Sequence, residues 1–542
     1  MGFEKRRRTP PQDADRAAGG VARVLKIADD EGVPVAETPP DILLFSPPPW
    51  LVTGPPLGLA AVSAYLKAQG WRVKIIDGNT KAYHDAKPKD QLLWRWEYSA
   101  FWEDEAEVEK RFGAMLRRLA EEAAAVGSWA IGVNVVHRKE AAVAIFLRRL
   151  KELRPDLRIF VGGPGAGWKE SRDHLRELAG DLVDGFVVGE GEVVCDELLR
   201  RMRKGESLEN LPGFMIAGPD GEAKFKPGRV ILDMNKLPVP DFGDFEMEHY
   251  DDNSLVVEWN RGCVARCTYC SVNDFWNAFR FKGAKAVAHE LKTLHDRHGI
   301  EKFVIVDPMV NGNPEHLDAI CEAIIESGVK VRWSAGISPN RDVPKSTFVK
   351  MSAAGCYQLE FGVDSGSNKI LRKMGKRFKA DQAGRMMRDA HNAGIDVMLY
   401  LIVGFPGETD ETVQETIDWL DEYGESIDMV RSINSLTIED GTAVEQRSEL
   451  FGVEKDKSDV NWRDNWHESG SSPEMRKARV DRVIDKLKEL KIPIEAEIIA
   501  EQTAGEDGPT LPDWGGATQS AGPSAGAGTF GCASFPTTGD EG

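Results

Sequence analysis

The chain has little of the chemistry that would tie it to a membrane or to nucleic acid. No apolar run in its 542 residues approaches the roughly 18 residues of a membrane-spanning helix. A basic stretch at residues 5–8 is followed by no apolar segment of the kind found in secretory signals. The formal charge is −19, whereas phosphate backbones are bound by basic surfaces. We therefore expect a cytoplasmic protein with no membrane span and no nucleic-acid partner.

Cysteine is also scarce, and its placement is informative. The seven cysteines cannot all pair, which argues against a disulfide scaffold. Cys263, Cys267 and Cys270 form a C-x3-C-x2-C spacing that can surround one compact inorganic centre. Structural zinc is the alternative, but it normally takes a fourth ligand at short spacing, and the next histidine downstream is His289. The spacing favours an iron–sulfur cluster with one iron left open.

Alternating strands and helices predict two α/β domains. In the first, apolar strands end in glycine-rich loops, as in a doubly wound Rossmann-like domain with a ligand at that edge of the sheet. In the second, six strands alternate with helices and the first of these strands delivers the cysteines, as in a partial (β/α)6 TIM-like barrel whose strand-end loops carry function. Strands are expected near 41–46, 72–76, 129–136, 158–161, 184–188, 255–259, 302–306, 329–333, 357–361, 395–402 and 428–433.

The remaining segments complete the predicted domain layout. Residues 214–225 predict a hairpin around Pro-Asp-Gly, and the aromatic-rich stretch 92–102 predicts packing between domains. A small α-helical C-terminal cap is expected to close the barrel mouth over a substrate. The expected ranges are 1–38 (disordered arm), 39–205 (Rossmann-like domain), 206–250 (connector), 251–440 (barrel), 441–500 (cap) and 501–542 (disordered tail).

The cysteine loop, with Tyr269 just before its third cysteine, resembles the cluster loop of the radical S-adenosylmethionine (SAM) superfamily. Glu360-Phe-Gly-Val-Asp-Ser-Gly366 and Leu401-Ile-Val-Gly-Phe-Pro-Gly-Glu-Thr409 resemble the strand-end motifs of the same family. The usual Gly-Gly-Glu after the second strand is absent, and Asp364 stands where the family commonly has Glu. The resemblance implies that the three cysteines hold a [4Fe–4S] cluster and that SAM contacts Tyr269, Asp307, Asp364, Ser365 and Gly404.

The first domain resembles the cobalamin-binding domain that precedes many radical SAM domains. The resemblance lies in Pro47-Pro-Pro, Pro55-Pro-Leu-Gly-Leu, a Gly-Gly-Pro turn and Gly189-Glu-Gly-Glu192. It implies cobalamin contacts from Pro56, Leu57, Gly58, His137, Gly162, Gly163, Gly189 and Glu190. The Asp-x-His-x-x-Gly signature that gives a histidine to cobalt in other B12 proteins is absent, and His137 is the nearby candidate. A Rossmann-like domain without cobalamin is the alternative.

Together these resemblances imply a cobalamin-dependent radical SAM C-methyltransferase. Such an enzyme removes hydrogen from an unactivated carbon through a 5′-deoxyadenosyl radical, and methylcobalamin supplies the methyl group. The substrate would be a small molecule or peptide, and a one-electron donor such as flavodoxin or ferredoxin would be needed. Alternatives are a cobalamin-binding radical SAM cyclase or rearrangement enzyme, and a non-catalytic metal-binding interaction protein. Methylthiotransferases of tRNA carry a second cysteine triad and a basic RNA domain, which this chain lacks.

Overall fold

The computed structural model describes residues 38–136, 139–218, 222–276, 278–439, 441–456 and 462–495. The predicted arm up to residue 37, His137 and the whole predicted tail lie outside these ranges. Within them, no helix has the length and apolar character needed to cross a membrane.

The first half of the described chain forms a six-stranded sheet with helices on both faces. Its strand order is β2-β1-β3-β4-β5-β6, and every pairing is parallel except that of β5 with β6. The apolar strands are buried on both faces, as a doubly wound sheet requires. The strands are β1 (Ile42–Ser46), β2 (Val73–Asp77), β3 (Ala130–Asn134), β4 (Arg158–Gly162), β5 (Gly185–Val187) and β6 (Phe214–Ile216). The helices are α1 (Leu57–Ala68), α2 (Gly78–Asp85), α3 (Pro88–Gln91), α4 (Glu105–Ala125), α5 (Glu140–Leu153), α6 (Pro164–Gly167), α7 (Lys169–Ala179) and α8 (Gly191–Lys204).

Two sequence interpretations of this half are wrong. The predicted hairpin does not form in the described residues, because β6 pairs antiparallel with β5 and so extends the sheet. The tip of that segment, 219–221, lies outside the described ranges. The described aromatic side chains of the stretch 92–102 pack in the core of the first sheet rather than between domains. Trp102 stacks on Phe112 of α4 with ring centroids 5.0 Å apart, inside the core of the first sheet.

The second half is an open barrel of six parallel strands in chain order. The sheet runs β7-β10-β11-β12-β13-β14, and β7 and β14 are its edges. Its strands are β7 (Ser254–Val257), β10 (Lys302–Ile305), β11 (Arg332–Ile337), β12 (Cys356–Asp364), β13 (Asp396–Ile402) and β14 (Met429–Asn434), and a small hairpin of β8 (Asn260–Arg261) and β9 (Arg280–Phe281) follows β7. The helices are α9 (Val272–Trp276), α10 (Ala284–His298), α11 (Pro314–Ser327), α12 (Lys345–Ala353), α13 (Asn368–Lys373), α14 (Ala380–Asn392) and α15 (Asp410–Tyr423). The predicted (β/α)6 topology is confirmed.

The C-terminal segment packs on the barrel rather than forming a separate core. It contains α16 (Ala443–Gln446), α17 (Ser448–Phe451), α18 (Trp462–Asn465) and α19 (Pro473–Glu489). The Val430 N–H of β14 donates to the Pro493 carbonyl (2.8 Å), so the chain after α19 covers this edge of the barrel. Trp462 and Trp466 join an apolar cluster with Phe405 of the barrel, against which Tyr269 of the cysteine loop packs.

Candidate functional site

The cysteine loop begins where β7 ends, at the carboxyl edge of the barrel. Pairing of β8 with β9 turns the chain sharply before Cys263. Gly262 makes this turn with a φ of +82°, and a Cβ atom here would lie 2.4 Å from the Ala278 carbonyl oxygen. Only glycine fits without moving the backbone. The loop that presents the cysteines is therefore fixed by a close backbone contact.

The three thiols are half-buried and lie within electrostatic reach of one another. Burial raises the pKa of Cys263 to about 11, and the neighbouring Cys270 and Cys267 contribute to the rise, against the Ala265 N–H. The Cys263 thiol also donates to the thioether sulfur of Met309 (3.4 Å). In the described part of the chain, no group of three or more His, Cys, Asp or Glu residues is placed to hold a single metal ion.

Asp307, at the end of the second barrel strand, supports the start of the cysteine loop. One carboxylate oxygen accepts the backbone N–H groups of Trp259 (2.8 Å) and Asn260 (3.0 Å), and the other accepts the Asn260 side-chain amide (2.6 Å). Burial raises the pKa of Asp307 to about 8, against the lowering effect of these N–H groups. The geometry gives Asp307 the role of holding the loop, and its predicted contact with SAM stays a prediction.

Tyr269 and Asp364, both predicted SAM contacts, are brought together with a third residue. The Tyr269 hydroxyl donates to the Asp364 carboxylate, and Lys376 forms a salt bridge with the same carboxylate. The Lys376 ammonium also donates to the Gly362 carbonyl (3.0 Å) and lies 5.8 Å from the centre of the Tyr269 ring. Asp364 holds this position with a φ of +70°, which is rare outside glycine.

Sequence reasoning missed Lys376. The stretch Arg372-Lys-Met-Gly-Lys-Arg377 has the composition of a solvated surface, yet the Lys376 side chain is only 5% exposed. Burial alone would lower its pKa, but Asp364 and Cys267 raise it well above the ordinary value, so the side chain is a cation. The structure thus places a buried positive charge beside the cysteine loop.

The second half of the cysteine loop is clamped by its neighbours. The Thr268 N–H donates to the Met374 carbonyl (2.9 Å), and the Val444 N–H donates to the Thr268 carbonyl (2.9 Å). A Cβ atom on Gly375, which has a φ of +77°, would lie 2.8 Å from the Arg266 carbonyl. The turn after α13 and the C-terminal segment therefore both hold the loop in place.

Ser365 contacts a helix instead of the thiols. Its hydroxyl accepts the Ser367 N–H (3.1 Å) and lies 3.4 Å from the hydroxyl of Thr416 on α15. Both residues are buried. Ser365 joins the end of β12 to α15, and its predicted contact with SAM is not tested by this geometry.

Gly404 and Gly407 lie in the loop after β13 and admit side chains of the protein itself. Gly404 has a φ of +90°, and a Cβ atom there would lie 2.7 Å from the Arg476 side chain of α19. The Gly407 N–H donates to both oxygens of Glu468 (2.8 and 2.9 Å). The C-terminal segment thus contacts the loop at which adenosine is predicted to bind. Thr409 caps α15.

Most of the predicted cobalamin contacts meet at the carboxyl edge of the first sheet. Pro56 caps α1, with Leu57 and Gly58 as its first residues. Gly162 and Gly163 follow at the end of β4, and a Cβ atom on Gly163 would lie 1.9 Å from the Asn134 side chain. Gly189, with a φ of +90°, has open space where a Cβ atom would point. His137 lies outside the described residues.

Glu190 is the predicted cobalamin contact whose geometry points elsewhere. Its carboxylate is 5% exposed and forms salt bridges with Arg261 (2.6 Å) and Arg280 (2.5 Å). Both arginines belong to the barrel half of the chain. The structure therefore joins Glu190 to the cysteine loop, and its cobalamin contact stays a prediction.

Comparison with known proteins agrees with this geometry. The family model described as the radical SAM superfamily matches residues 257–420. An uncharacterized methyltransferase of Pyrococcus horikoshii is 26% identical over 370 residues, which cover 67% of this chain and 72% of the relative. Cytidylyl-2-hydroxyethylphosphonate methyltransferase of Streptomyces wedmorensis is 24% identical over 411 residues, covering 68% and 73%.

A solved structure shares the arrangement of both halves. It is the radical SAM methyltransferase TsrM from Kitasatospora setae, with cobalamin and a [4Fe–4S] cluster bound to that protein. The two folds superpose with a TM-score of 0.59 at 17% identity, covering 81% of each chain. Residues 257–420 thus match the radical SAM superfamily model, and the described chain shares the fold of this methyltransferase structure.

Proposed function

We propose that this protein is a cobalamin-dependent radical SAM enzyme that methylates a carbon of a small molecule or peptide. The observation that carries the proposal is the cysteine loop at the carboxyl end of the first barrel strand, joined by ion pairs to the glycine-rich edge of the first sheet. That edge matches the expected place of a ligand in a doubly wound sheet. The methyltransferase names of two relatives support the choice of reaction.

The cysteine loop fits a [4Fe–4S] cluster better than a single ion. Besides burial, Cys270 and Cys267 raise the pKa of Cys263, and Cys270 raises the pKa of Cys267, which supports a shared centre, although the described residues form no single-ion site. A four-iron cluster is a larger body than one ion and takes cysteine thiolates as ligands. With three cysteines in the loop, one iron would be left for SAM. Cys263, Cys267 and Cys270 are the residues that we propose as its ligands.

The surroundings of the loop suit a polar cofactor such as SAM. The side-chain oxygen of Asn260 is buried and has no hydrogen-bond partner within the described residues. A buried acceptor without a partner is costly, so a donor such as the amino group of SAM would satisfy it. Lys376 gives the loop a nearby positive charge, and Asp364 and Tyr269 keep that charge in place.

When bound, these cofactors supply the radical and the methyl group, and the protein orients them and excludes water. The proposed contributions of the chain follow from its geometry. Asp307 holds the start of the loop through two backbone N–H groups. Met374 and Val444 hold its second half through the Thr268 backbone. The apolar cluster that contains Trp462 and Trp466 packs against Tyr269.

We also propose that a one-electron donor such as flavodoxin or ferredoxin reduces the cluster, and that the protein works in a reducing compartment such as the cytoplasm. Reduction of the cluster needs an electron from outside the chain. The six cysteines in the described ranges form no disulfide. The substrate class is proposed at the level of a small molecule or peptide.

The experiment is anaerobic reconstitution with iron and sulfide, followed by dithionite and SAM. We expect about four irons per chain and release of 5′-deoxyadenosine. Cys267→Ala should lose both. Cys195→Ala, which removes a thiol on α8 outside the loop, should keep both. Equal iron content and equal 5′-deoxyadenosine in the wild type and Cys267→Ala would contradict the proposal.

A further inference from the structure

A cluster of buried ionic side chains joins the first sheet to the start of the cysteine loop. Its centre is Arg261, and we name the group the Arg261 cluster. Arg261 forms salt bridges with Glu190 (2.6 Å), Glu192 (2.5 Å) and Glu258 (2.6 Å). Glu190 ends the loop between β5 and α8, Glu192 lies in the first turn of α8, and Glu258 comes from the barrel. The fifth member is Arg280, which pairs with Glu190 at 2.5 Å.

The members of the Arg261 cluster are buried from water, and their charged groups pair with one another. The side chains of its five members are between 4% and 10% exposed. Burial alone would raise the pKa of Glu192, but Arg261 holds it below the ordinary value, so this carboxylate is charged at neutral pH. Removal of one partner from a buried pair leaves the other charge without compensation, which makes such a link sensitive to single substitutions.

The geometry leaves little capacity for another ligand. Arg261 uses its Nε and both Nη groups on carboxylates, and the guanidinium lies 5.1 Å from the centre of the Trp276 ring. Both oxygens of Glu190 accept from arginines. Arg280 also donates to the Ile231 carbonyl (2.8 Å) in the segment that joins the two halves. The Arg261 cluster is a link between parts of the chain and not an empty binding site.

The link lies between the two proposed cofactor sites. Arg261 precedes Cys263 by two residues, with the constrained Gly262 between them. Glu190 directly follows Gly189, whose Cβ position faces open space at the edge of the first sheet. A movement of either loop would therefore stretch the same ion pairs.

We propose that Arg261 and Glu190 are positioning residues that hold the glycine-rich edge of the first sheet in a fixed relation to the cysteine loop. Their role is to set the distance between the two cofactor sites, because their side chains are engaged with each other and with their ionic neighbours. This inference rests on the proposed function, because the distance matters for catalysis only if both cofactors are present. The link itself does not need either cofactor.

The first test is hydrogen–deuterium exchange on the full chain as purified, with Glu190→Gln and Arg261→Lys. Informative amides lie on both sides of the link. Trp259 and Asn260 donate to Asp307, and Val188 donates to the Gly213 carbonyl (2.9 Å). Glu190→Gln should speed exchange at 259–260, and Arg261→Lys should speed exchange at Val188. We expect about ten- to a hundredfold changes, the range for a lost hydrogen bond to a charged group.

A matched control exists within the barrel. Lys282 and Glu290 form a salt bridge of 2.7 Å with both side chains 4% exposed, so Glu290→Gln removes an ion pair of similar burial. This control should leave exchange at Val188 unchanged. The inference is overturned if Arg261→Lys and Glu190→Gln each speed amide exchange only in their own half of the chain. It is also overturned if Glu290→Gln speeds exchange at Val188 as strongly as Arg261→Lys does.

The second test separates positioning from cofactor binding. In chains loaded with cobalamin and iron–sulfur cluster, both variants should keep wild-type cobalamin affinity and iron content. Pulsed electron paramagnetic resonance measures the distance between cob(II)alamin and the reduced cluster. Relative to the wild type, this distance should shift, or its distribution broaden, in Glu190→Gln and Arg261→Lys but not in Glu290→Gln. A loss of cobalamin affinity in Glu190→Gln would instead make Glu190 a cobalamin contact. If the wild type binds neither cofactor, the proposed function fails while the exchange experiment still decides whether the link exists.

Discussion

At the scale of single residues, the chemistry of the site depends on charges that the fold has removed from water. Lys376 and Asp364 are 5% and 7% exposed and lie beside the cysteine loop, with Tyr269 donating to the same carboxylate. A buried ion pair of this kind stabilises a protein little more than two apolar side chains of similar volume would, yet removal of one partner lowers the stability strongly. The arrangement therefore predicts a strong and asymmetric response to substitution.

Lys376→Met should lower the free energy of unfolding by about 3 kcal/mol, because it leaves the Asp364 carboxylate buried without its cation. The double variant with Asp364→Asn should recover part of the loss. Urea unfolding of the chain without cofactors measures both. Lys350→Met is the control, since Lys350 pairs with Asp318 on a surface where its side chain is 36% exposed. The control should cost clearly less. Equal losses of unfolding free energy in Lys376→Met and Lys350→Met would show that the pair of Lys376 with Asp364 does not behave as a buried ion pair.

Residue identity predicts the ligands of the site better than it predicts the charges around them. Cys263, Cys267 and Cys270 are recognisable because few residue types bind iron–sulfur clusters and the spacing is unusual. Lys376 and Glu190 are not, because a charged residue in a sequence does not reveal whether it is buried or solvated. Their role depends on partners 12 and 71 residues away in the chain. Such pairings form only when the fold is complete.

At the scale of elements, the cysteine loop is held by close backbone contacts as much as by side chains. The turn at Gly262 has no room for a Cβ atom, and Asp307 binds the two backbone N–H groups before it. Glycines at ordinary helix ends provide a natural comparison. Gly299 ends α10 with a φ of +66°, and nothing lies within 4 Å of its Cβ position.

Gly262→Ala should reduce the iron that the chain takes up on reconstitution, because the loop must move to relieve contact with the Ala278 carbonyl. Gly299→Ala should cost only the strain of a positive φ, about 1 kcal/mol, and keep the wild-type iron content. Iron analysis after anaerobic reconstitution, together with thermal unfolding, distinguishes the two effects. Full iron content in Gly262→Ala would contradict a fixed loop.

The positions of strands and helices are predictable from this sequence, whereas the strand with which a given strand pairs is not always predictable. The apolar runs predict all six barrel strands, because parallel strands buried on both faces need continuous hydrophobic residues. The third of these strands starts at Arg332 rather than near residue 329, since strand ends are decided by hydrogen-bond partners. The segment at 214–216 is a strand as expected, but it pairs with β5. Local turn signals cannot show that a more distant strand edge offers better pairing.

At the scale of the whole molecule, the two sheets meet at the carboxyl ends of their strands. The Arg261 cluster joins the β5–α8 loop to the cysteine loop, and the C-terminal segment contacts the loop after β13 through Glu468. The fold class predicted from the sequence is confirmed. The predicted domain boundaries stay a prediction, as do the individual cofactor contacts. Composition and periodicity describe each half, but the contact between the halves depends on side chains far apart in sequence.

The most direct test of the proposed function is to measure what the protein does with SAM when both proposed cofactors are supplied. The protein is reconstituted anaerobically with iron, sulfide and cobalamin, freed of excess cofactor, reduced and given SAM. We expect about one retained cobalamin per chain and release of both 5′-deoxyadenosine, from radical cleavage of SAM, and S-adenosylhomocysteine, which would be left when SAM gives its methyl group to the reduced cobalamin. Release of 5′-deoxyadenosine alone from a chain that retains no cobalamin would contradict the methyltransferase assignment. Release of neither product would contradict radical SAM chemistry in this protein altogether.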